Sequence, residues 1–330
     1  MKIVGIDLSK DKFDVNYIND KDKEINKAYK SNVNAITKFL DKVQDGYTLV
    51  AEYTGVYADL LVYLANQRNI PISLNSGFNI KHSLGMSKEK TDPKDAAKIR
   101  EYGERFTDKL ILTTFESEFM YELQDLYTLR HQLVKERQRL TNATISRESR
   151  PVQSIKVNQI KNNVVETLTV QIESLNEEIE EFIKKNPETQ KNFEIVTSVT
   201  GIGPVIACDL IIKTGNFNRI DTARKCASFA GIAPFANESG KMVSKKRVSK
   251  FADKKLKSLL YMGSKAAVRH NKEYRLYYGR LMAEKKAHYL ILNNVANKLM
   301  RTVYALVKSG TPFDRDYICL DPRERLPETA

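Results

Sequence analysis

Apolar and polar positions mark out two opening strands. The run Lys2-Ile3-Val4-Gly5-Ile6-Asp7-Leu8 and the run over residues 12–18 are separated by polar Ser9-Lys10-Asp11, which predicts a hairpin. A third strand is expected around Glu24–Tyr29. Asn32 then stands as the cap of a helical pattern in which Val33, Ile36, Phe39, Leu40 and Val43 share one face. A strand over 48–52, a helix through Leu60, Leu61, Leu64 and Ala65, and a strand over 71–75 follow. Lys90-Thr91-Asp92-Pro93-Lys94-Asp95-Ala96-Ala97 reads as the start of another helix.

The period changes after residue 115. Phe119, Leu126, Leu133 and Leu140 recur every seven residues, with Leu123 between, and Val165, Leu168, Ile172, Leu175, Ile179 and Phe182 alternate by three and four. Both are heptad seams. Ser149-Arg150-Pro151 interrupts them, so an antiparallel coiled-coil hairpin is expected. It packs within the chain or serves as an arm for self-association, because an isolated pair of helices leaves apolar surface uncovered. From about residue 193 the chain reads as helical and basic. Ser198-Val199-Thr200-Gly201-Ile202-Gly203-Pro204 resembles the turn of a helix-hairpin-helix element: the glycines permit a tight turn and Pro204 suits a first helical position. Backbone N–H groups there would meet a nucleic-acid phosphate; a purely structural turn is the alternative.

Three meandering strands followed by β-α-β is the RNase H-like order. The predicted fold class is therefore α/β plus α: an RNase H-like domain over 1–110, a coiled-coil arm over 111–190, and a helical domain over 191–330. In that order the strands ending at Asp7 and Glu52 lie parallel and adjacent. Asp92 and Asp95, three apart, share a helix face. Singly, each acid could be a cap or a strand-end residue. Together, four carboxylates repel unless a cation joins them. All-oxygen ligands suit Mg²⁺, with Mn²⁺ as a substitute, and a two-metal site would act on a phosphodiester.

Charge strengthens the nucleic-acid reading. Among 330 residues, 54 Lys+Arg stand against 41 Asp+Glu, a net charge of +13, which favours a polyanionic partner. Cys208, Cys226 and Cys319 form no Cys-x-x-Cys pair and histidines number four, so neither a zinc site nor a disulfide framework is suggested. No signal-peptide pattern or membrane-length apolar run is present, and a cytoplasmic protein without a membrane partner is expected.

A second candidate centre is Ser239, before Gly240 in an expected exposed loop. Lys241 to Lys257 contains eight basic residues and one acid, Asp253. Lys241, Lys245, Lys246, Arg247, Lys250, Lys254 and Lys255 are candidates to hold a nucleic-acid backbone, as are the amides at Gly201 and Gly203. On spacing alone Ser244 and Ser249 are equally arguable as nucleophiles, and a serine hydroxyl needs a base or metal to activate it. Tyr274, Tyr277 and Tyr278, among Arg275 and Arg280, would either stack on nucleic acid or pack on the core. Tyr53 and Tyr57 lie near Glu52 and could border a cleft.

The motifs Gly5-Ile6-Asp7-Leu8-Ser9-Lys10, Glu52-Tyr53-Thr54-Gly55-Val56-Tyr57 and Lys90-Thr91-Asp92-Pro93-Lys94-Asp95-Ala96 occur in order. Leu129-Arg130, Gln132-Leu133-Val134, Thr200-Gly201-Ile202-Gly203-Pro204, Phe229-Ala230-Gly231-Ile232-Ala233-Pro234 and Glu238-Ser239-Gly240 follow. The chain thereby resembles the DEDD transposases of the insertion sequence one-ten family, related to the Piv-type DNA invertases, over most of residues 2–308. The hairpin tip around Ser146–Lys156 departs from the pattern. The resemblance implies that the domain over 1–110 is RuvC-like, that Asp7, Glu52, Asp92 and Asp95 bind metal and that Ser239 is a nucleophile. It also implies double-stranded donor and target DNA, an element-encoded structured guide RNA, and a homo-oligomer between dimer and tetramer. The expected reaction is strand exchange through a serine–DNA link. A RuvC-like nuclease using water, and a non-catalytic nucleic-acid binder, are the rival classes.

Overall fold

The computed structural model describes residues 2–43, 46–84, 92–148, 151–152, 154–239, 242–249 and 251–314, with backbone alone for 144–148, 236–239 and 242–247. The chain divides into two compact units, Met1–Glu116 and Ser117–Ala330.

In the first unit, strands β1 (Lys2–Leu8), β2 (Lys12–Ile18), β3 (Glu24–Lys30), β4 (Tyr47–Glu52) and β5 (Ile72–Asn75) form one sheet in the order β3-β2-β1-β4-β5. β1–β2 and β2–β3 are antiparallel, whereas β1–β4 and β4–β5 are parallel. The predicted hairpin and the parallel pairing of β1 with β4 are both present. Alternation along the strands sends side chains to two cores. Val4, Ile6, Leu49 and Ala51 face helices α1 (Val33–Leu40) and α2 (Asp59–Gln67) in a core that includes Phe13, Phe39 and Leu61. Burying each of these side chains other than Ala51 contributes ~1.5–3 kcal/mol. Asn32 caps α1 as expected, its side chain accepting from the Ala35 amide. Ile3 and Val50 face the other way, toward Ile80 of α3 (Gly77–Leu84) and Ile99 and Tyr102 of α4 (Asp92–Arg105). The sequence pattern did not signal α3, whose eight residues bury one side chain, Ile80.

Helix α4 lies against the sheet at Gly5. A Cβ there would come within 2.9 Å of Arg100 Cα, and closer still to the Ala96 carbonyl oxygen and the Arg100 amide. Arg100 also reaches Glu24 at 3.4 Å, which ties α4 to the β3 edge.

The second unit opens with α5 (Glu118–Glu148) and α6 (Ile155–Lys184). Their pairing is antiparallel, since Phe119 stacks on Phe182 at 4.8 Å while, farther out, Arg130 Nε donates to Asn176 Oδ1 at 2.5 Å. Ile172, Ile179 and Phe182 of the heptad seam are buried, and Val165, Leu168 and Leu175 are half-buried. The base of the pair belongs to the same core as α7 (Pro187–Ser198), α8 (Pro204–Thr214), α9 (Ala223–Phe229), α10 (Lys254–His270) and α12 (His288–Ser309). α11 (Lys272–Ala283) closes the bundle, with Tyr274 and Leu281 buried. Strands β6 (Phe235–Ser239) and β7 (Met242–Arg247) form an antiparallel hairpin where the sequence predicted a loop.

The α7–α8 turn is built as the glycine spacing predicts, but its two glycines do different things. Gly201 has φ +100°, and a Cβ on it would sit 2.5 Å from the Gly263 carbonyl oxygen of α10. Gly203 precedes Pro204 at φ −90° with nothing within 4 Å of a Cβ. Gly201→Ala is therefore expected to lose about 3 kcal/mol of stability, from left-handed strain plus overpacking, and Gly203→Ala less than about 1 kcal/mol. Urea denaturation of the two variants checks the contrast.

Candidate active site

Asp7 and Glu52 end neighbouring parallel strands. Ile6 pairs with Ala51 in the register, so the two carboxylates stand one residue further along on the face that α4 covers. Because α4 rests on Gly5, its first turn lies over the C-terminal end of β1 and brings Asp92 and Asp95 toward Asp7. Asp14, directly opposite Asp7 in the hairpin, adds a fifth acid to that face. The Asp7 carboxyl is consequently pushed up to about 6, first by burial and then by the charges of Asp95, Asp92, Glu52 and Asp14.

Lysines and a glycine complete the arrangement. Lys12 Nζ lies 2.7 Å from Asp92 Oδ2 and 3.1 Å from Asp14 Oδ2. Lys98 Nζ lies 3.2 Å from Asp95 Oδ1. The Glu52 carboxylate rests against Gly77 at the start of α3: a Cβ there would be 2.6 Å from Glu52 Cδ. The positive end of α3 also favours that carboxylate. The sequence reading missed Lys12, Asp14, Gly77 and Lys98. Asp14 was legible, because a hairpin centred on Ser9-Lys10-Asp11 sets residue 14 opposite residue 7. Tyr53 and Tyr57 are both exposed beyond β4.

In the second unit, Ser239 ends β6, its backbone in register with Met242. Lys245, Lys246 and Arg247 lie on β7. Gly240, Lys241 and Lys250 lie outside the described residues. Lys254 is exposed at the start of α10. Lys255 departs from the sequence expectation of a backbone-holding cation: its ammonium lies 3.1 Å from Asp209 Oδ1, a fully buried carboxylate, and 4.0 Å from the centre of the Tyr127 ring. Helix periodicity turns residue 255 inward, so it neutralises the core instead. Gly201 is likewise engaged in packing against α10, whereas Gly203 is exposed at the N-terminus of α8. Tyr274 is a core residue, its hydroxyl 3.4 Å from Thr302 Oγ1.

Two family models match the chain. The model described as Transposase IS116/IS110/IS902 family matches residues 193–279, and the IS110-type DEDD model, described as Transposase, matches residues 4–147. The chain belongs to the IS110 family of DEDD transposases. The first stretch contains Ser239 and the α7–α8 turn, and the second contains all four acids. Among its relatives, this IS110-family transposase is 24% identical to a pilin gene-inverting protein of Moraxella lacunata, over 94% of this chain and 97% of that one. It is 24% identical to the transposase for insertion sequence element IS1111A of Coxiella burnetii, over 82% of this chain and 79% of that one. It is also 27% identical to the insertion element IS110 43.6 kDa protein of Streptomyces coelicolor, over 36% of this chain and 30% of that one.

The acids of this DEDD transposase suit a divalent cation in charge and in donor type. Four carboxylates act on Asp7, and their repulsion adds to burial in raising its proton affinity. All-oxygen donors match Mg²⁺ or Mn²⁺. Among the described residues no three acidic, histidine or cysteine side chains are close enough to hold an ion as they stand. Ligation therefore requires the carboxylates to draw inward, with Lys12 and Lys98 releasing Asp92 and Asp95.

Two outcomes are expected. An unfolded aspartate titrates near ~3.9, so a folded value of about 6 means that the folded state holds this proton more tightly. The stability it confers is complete below pH ~4 and lost as pH rises through ~6. Asp7→Asn should thus stabilise the metal-free protein at pH 7.5 by about 1–2 kcal/mol, discounted for half-exposure, and give no gain at pH 4. Adding Mg²⁺ should raise the melting temperature of the wild type but not of the variant. Separately, Lys255→Ala strands the Asp209 charge and should cost about 3–5 kcal/mol, against less than about 0.5 kcal/mol for Lys254→Ala, by chemical denaturation.

Proposed function

We propose that this protein is a metal-dependent DNA recombinase that inserts, excises or inverts a DNA segment through a covalent serine–DNA link. The observation that carries the proposal is the convergence of Asp7, Glu52, Asp92 and Asp95 on one end of the sheet, where the half-buried Asp7 feels the other three charges. The strand order supports an RNase H/RuvC-like domain over 1–110. An arm over 111–190 and a C-terminal transposase domain over 191–330, with its helix-hairpin-helix turn, complete the proposed organisation. The likeness to a pilin gene-inverting protein along nearly all of both chains supports strand exchange rather than simple hydrolysis.

Asp7, Glu52, Asp92 and Asp95 would hold Mg²⁺ or Mn²⁺, which when bound supplies Lewis-acid stabilisation of charge on the reacting phosphate oxygens. Ser239 Oγ attacks phosphorus and gives up its proton. An Oγ–P bond forms and the P–O3′ bond breaks, leaving a 5′-phosphoserine and a free 3′-hydroxyl. The 3′-hydroxyl of another strand then attacks the same phosphorus and releases the serine, so the number of phosphodiester bonds is conserved. Lys241, Lys245, Lys246, Arg247, Lys250 and Lys254 hold the DNA backbone by charge, and amides at the α8 N-terminus beside Gly203 add a phosphate contact.

A structured guide RNA that pairs with donor and target DNA belongs to the proposal through the family resemblance. A dimer or tetramer formed through the arm is supported by the exposed Ile160 and Val164 on α6. No described helix is long and apolar enough to cross a membrane, and we place the protein in the cytoplasm with its DNA.

The test is a denaturing gel of labelled donor and target DNA with Mg²⁺ and the element's RNA. Wild type should give a protease-sensitive protein–DNA adduct that Ser239→Ala lacks. Clean cleavage by both proteins without an adduct would make this a metal nuclease and sink the serine assignment.

A further inference from the structure

Of the two expectations for the tyrosine cluster, core packing holds for Tyr274 and for Tyr277, which lies against the same core. Tyr274 is in the core, but α10, α11 and α12 bring four other rings together at the surface. Tyr289, in the first turn of α12, stacks on Tyr261 of α10 with centroids 5.6 Å apart and planes 21° apart. His288 meets Tyr289 edge-on at 5.5 Å. Tyr278 of α11 holds His288 in turn, its hydroxyl 2.6 Å from Nδ1. Lys265 Nζ lies 4.9 Å from the Tyr261 ring centre. Tyr289 nevertheless remains 73% exposed.

We propose that Tyr289, backed by Tyr261 and braced by His288, is a stacking site for an unpaired base of single-stranded DNA. An exposed ring in a fixed orientation already has its rotamer restricted, so a planar partner adds to the stack with little further ordering cost. Every base has a π-face, and stacking on an aromatic side chain is tolerant of sequence. In duplex DNA those faces are covered by neighbouring pairs, so the site selects unpaired nucleotides.

Charge identifies the ligand as a polyanion. From Lys257 through Tyr289 there are eight lysines and arginines, Lys257 included, against two acids, Glu273 and Glu284. Glu284 is itself paired with Lys286 at 2.7 Å. A strand whose phosphates run over this surface while a base lies on Tyr289 uses both features. The proposal rests on the recombinase reading for the identity of the strand as DNA, since strand exchange exposes unpaired DNA.

The experiment measures binding of a short labelled oligothymidine to the full-length protein by fluorescence anisotropy in EDTA, so that no DNA is cut. Tyr289→Ala should weaken binding about 10-fold or more, while Tyr289→Phe retains it. The salt dependence of binding should be the same in all three proteins, because no phosphate contact is removed. Duplex binding should be insensitive to Tyr289, and 5-iodouracil in the oligonucleotide should crosslink to Tyr289 on irradiation. Wild-type affinity in Tyr289→Ala, with matched circular-dichroism melts, would overturn the proposal. Tyr289-dependent binding that favours RNA of the same base sequence would overturn the assignment to DNA. A protein that binds through Tyr289 yet forms no serine–DNA adduct keeps this site and loses the recombinase reading. Adduct formation with Tyr289-independent binding does the reverse.

Discussion

Helix α4 can rest on β1 only because residue 5 has no side chain, and the acidic site follows from that contact. A methyl group at Gly5 would meet the Ala96 carbonyl and the Arg100 backbone, so α4 would have to lift from the sheet. Lifting it would carry Asp92 and Asp95 away from Asp7. The site therefore depends on backbone-to-backbone packing between a helix and a strand, more than on any bond between the acids. Gly77 repeats the device on a smaller scale, leaving space where the Glu52 carboxylate rests.

Bringing like charges together opposes folding, and the lysines temper this. Lys12 spans Asp14 and Asp92, and Lys98 pairs with Asp95. Apart from buried Asp14, these partners are partly exposed, so their attraction is modest and screened by salt. Modest attraction suits cations that must yield to a stronger one. Asp7, deeper than Asp92, has its proton affinity raised first by burial and then by these neighbouring charges.

Much of the first unit was legible because its strands alternate and its acids stand at strand ends and on a first helical turn. The two heptad seams likewise mark α5 and α6. What escaped has physical reasons. Helix α3 buries a single side chain, so it has almost no periodic signal. The β6–β7 hairpin is short and polar, and Asn237, Glu238 and Ser239 read as loop residues until their pairing is seen. Lys255 belongs to a run of cations in sequence, yet helical geometry separates it from Lys254 and turns it to Asp209. The Tyr261–Tyr289 stack joins residues from different helices, which no local pattern discloses.

Gly201 and Gly263 face one another across the α8–α10 side of the bundle, each leaving room for the other's carbonyl: a Cβ on Gly263 would lie 2.6 Å from Gly201 O. Neither position can gain a side chain while the other backbone stays where it is, and changing both at once only enlarges the clash. The crossing thus has no stepwise mutational exit. Sequence drift among descendants of this chain should pass around these two positions, moving the helices' outer faces freely while their point of contact stays fixed.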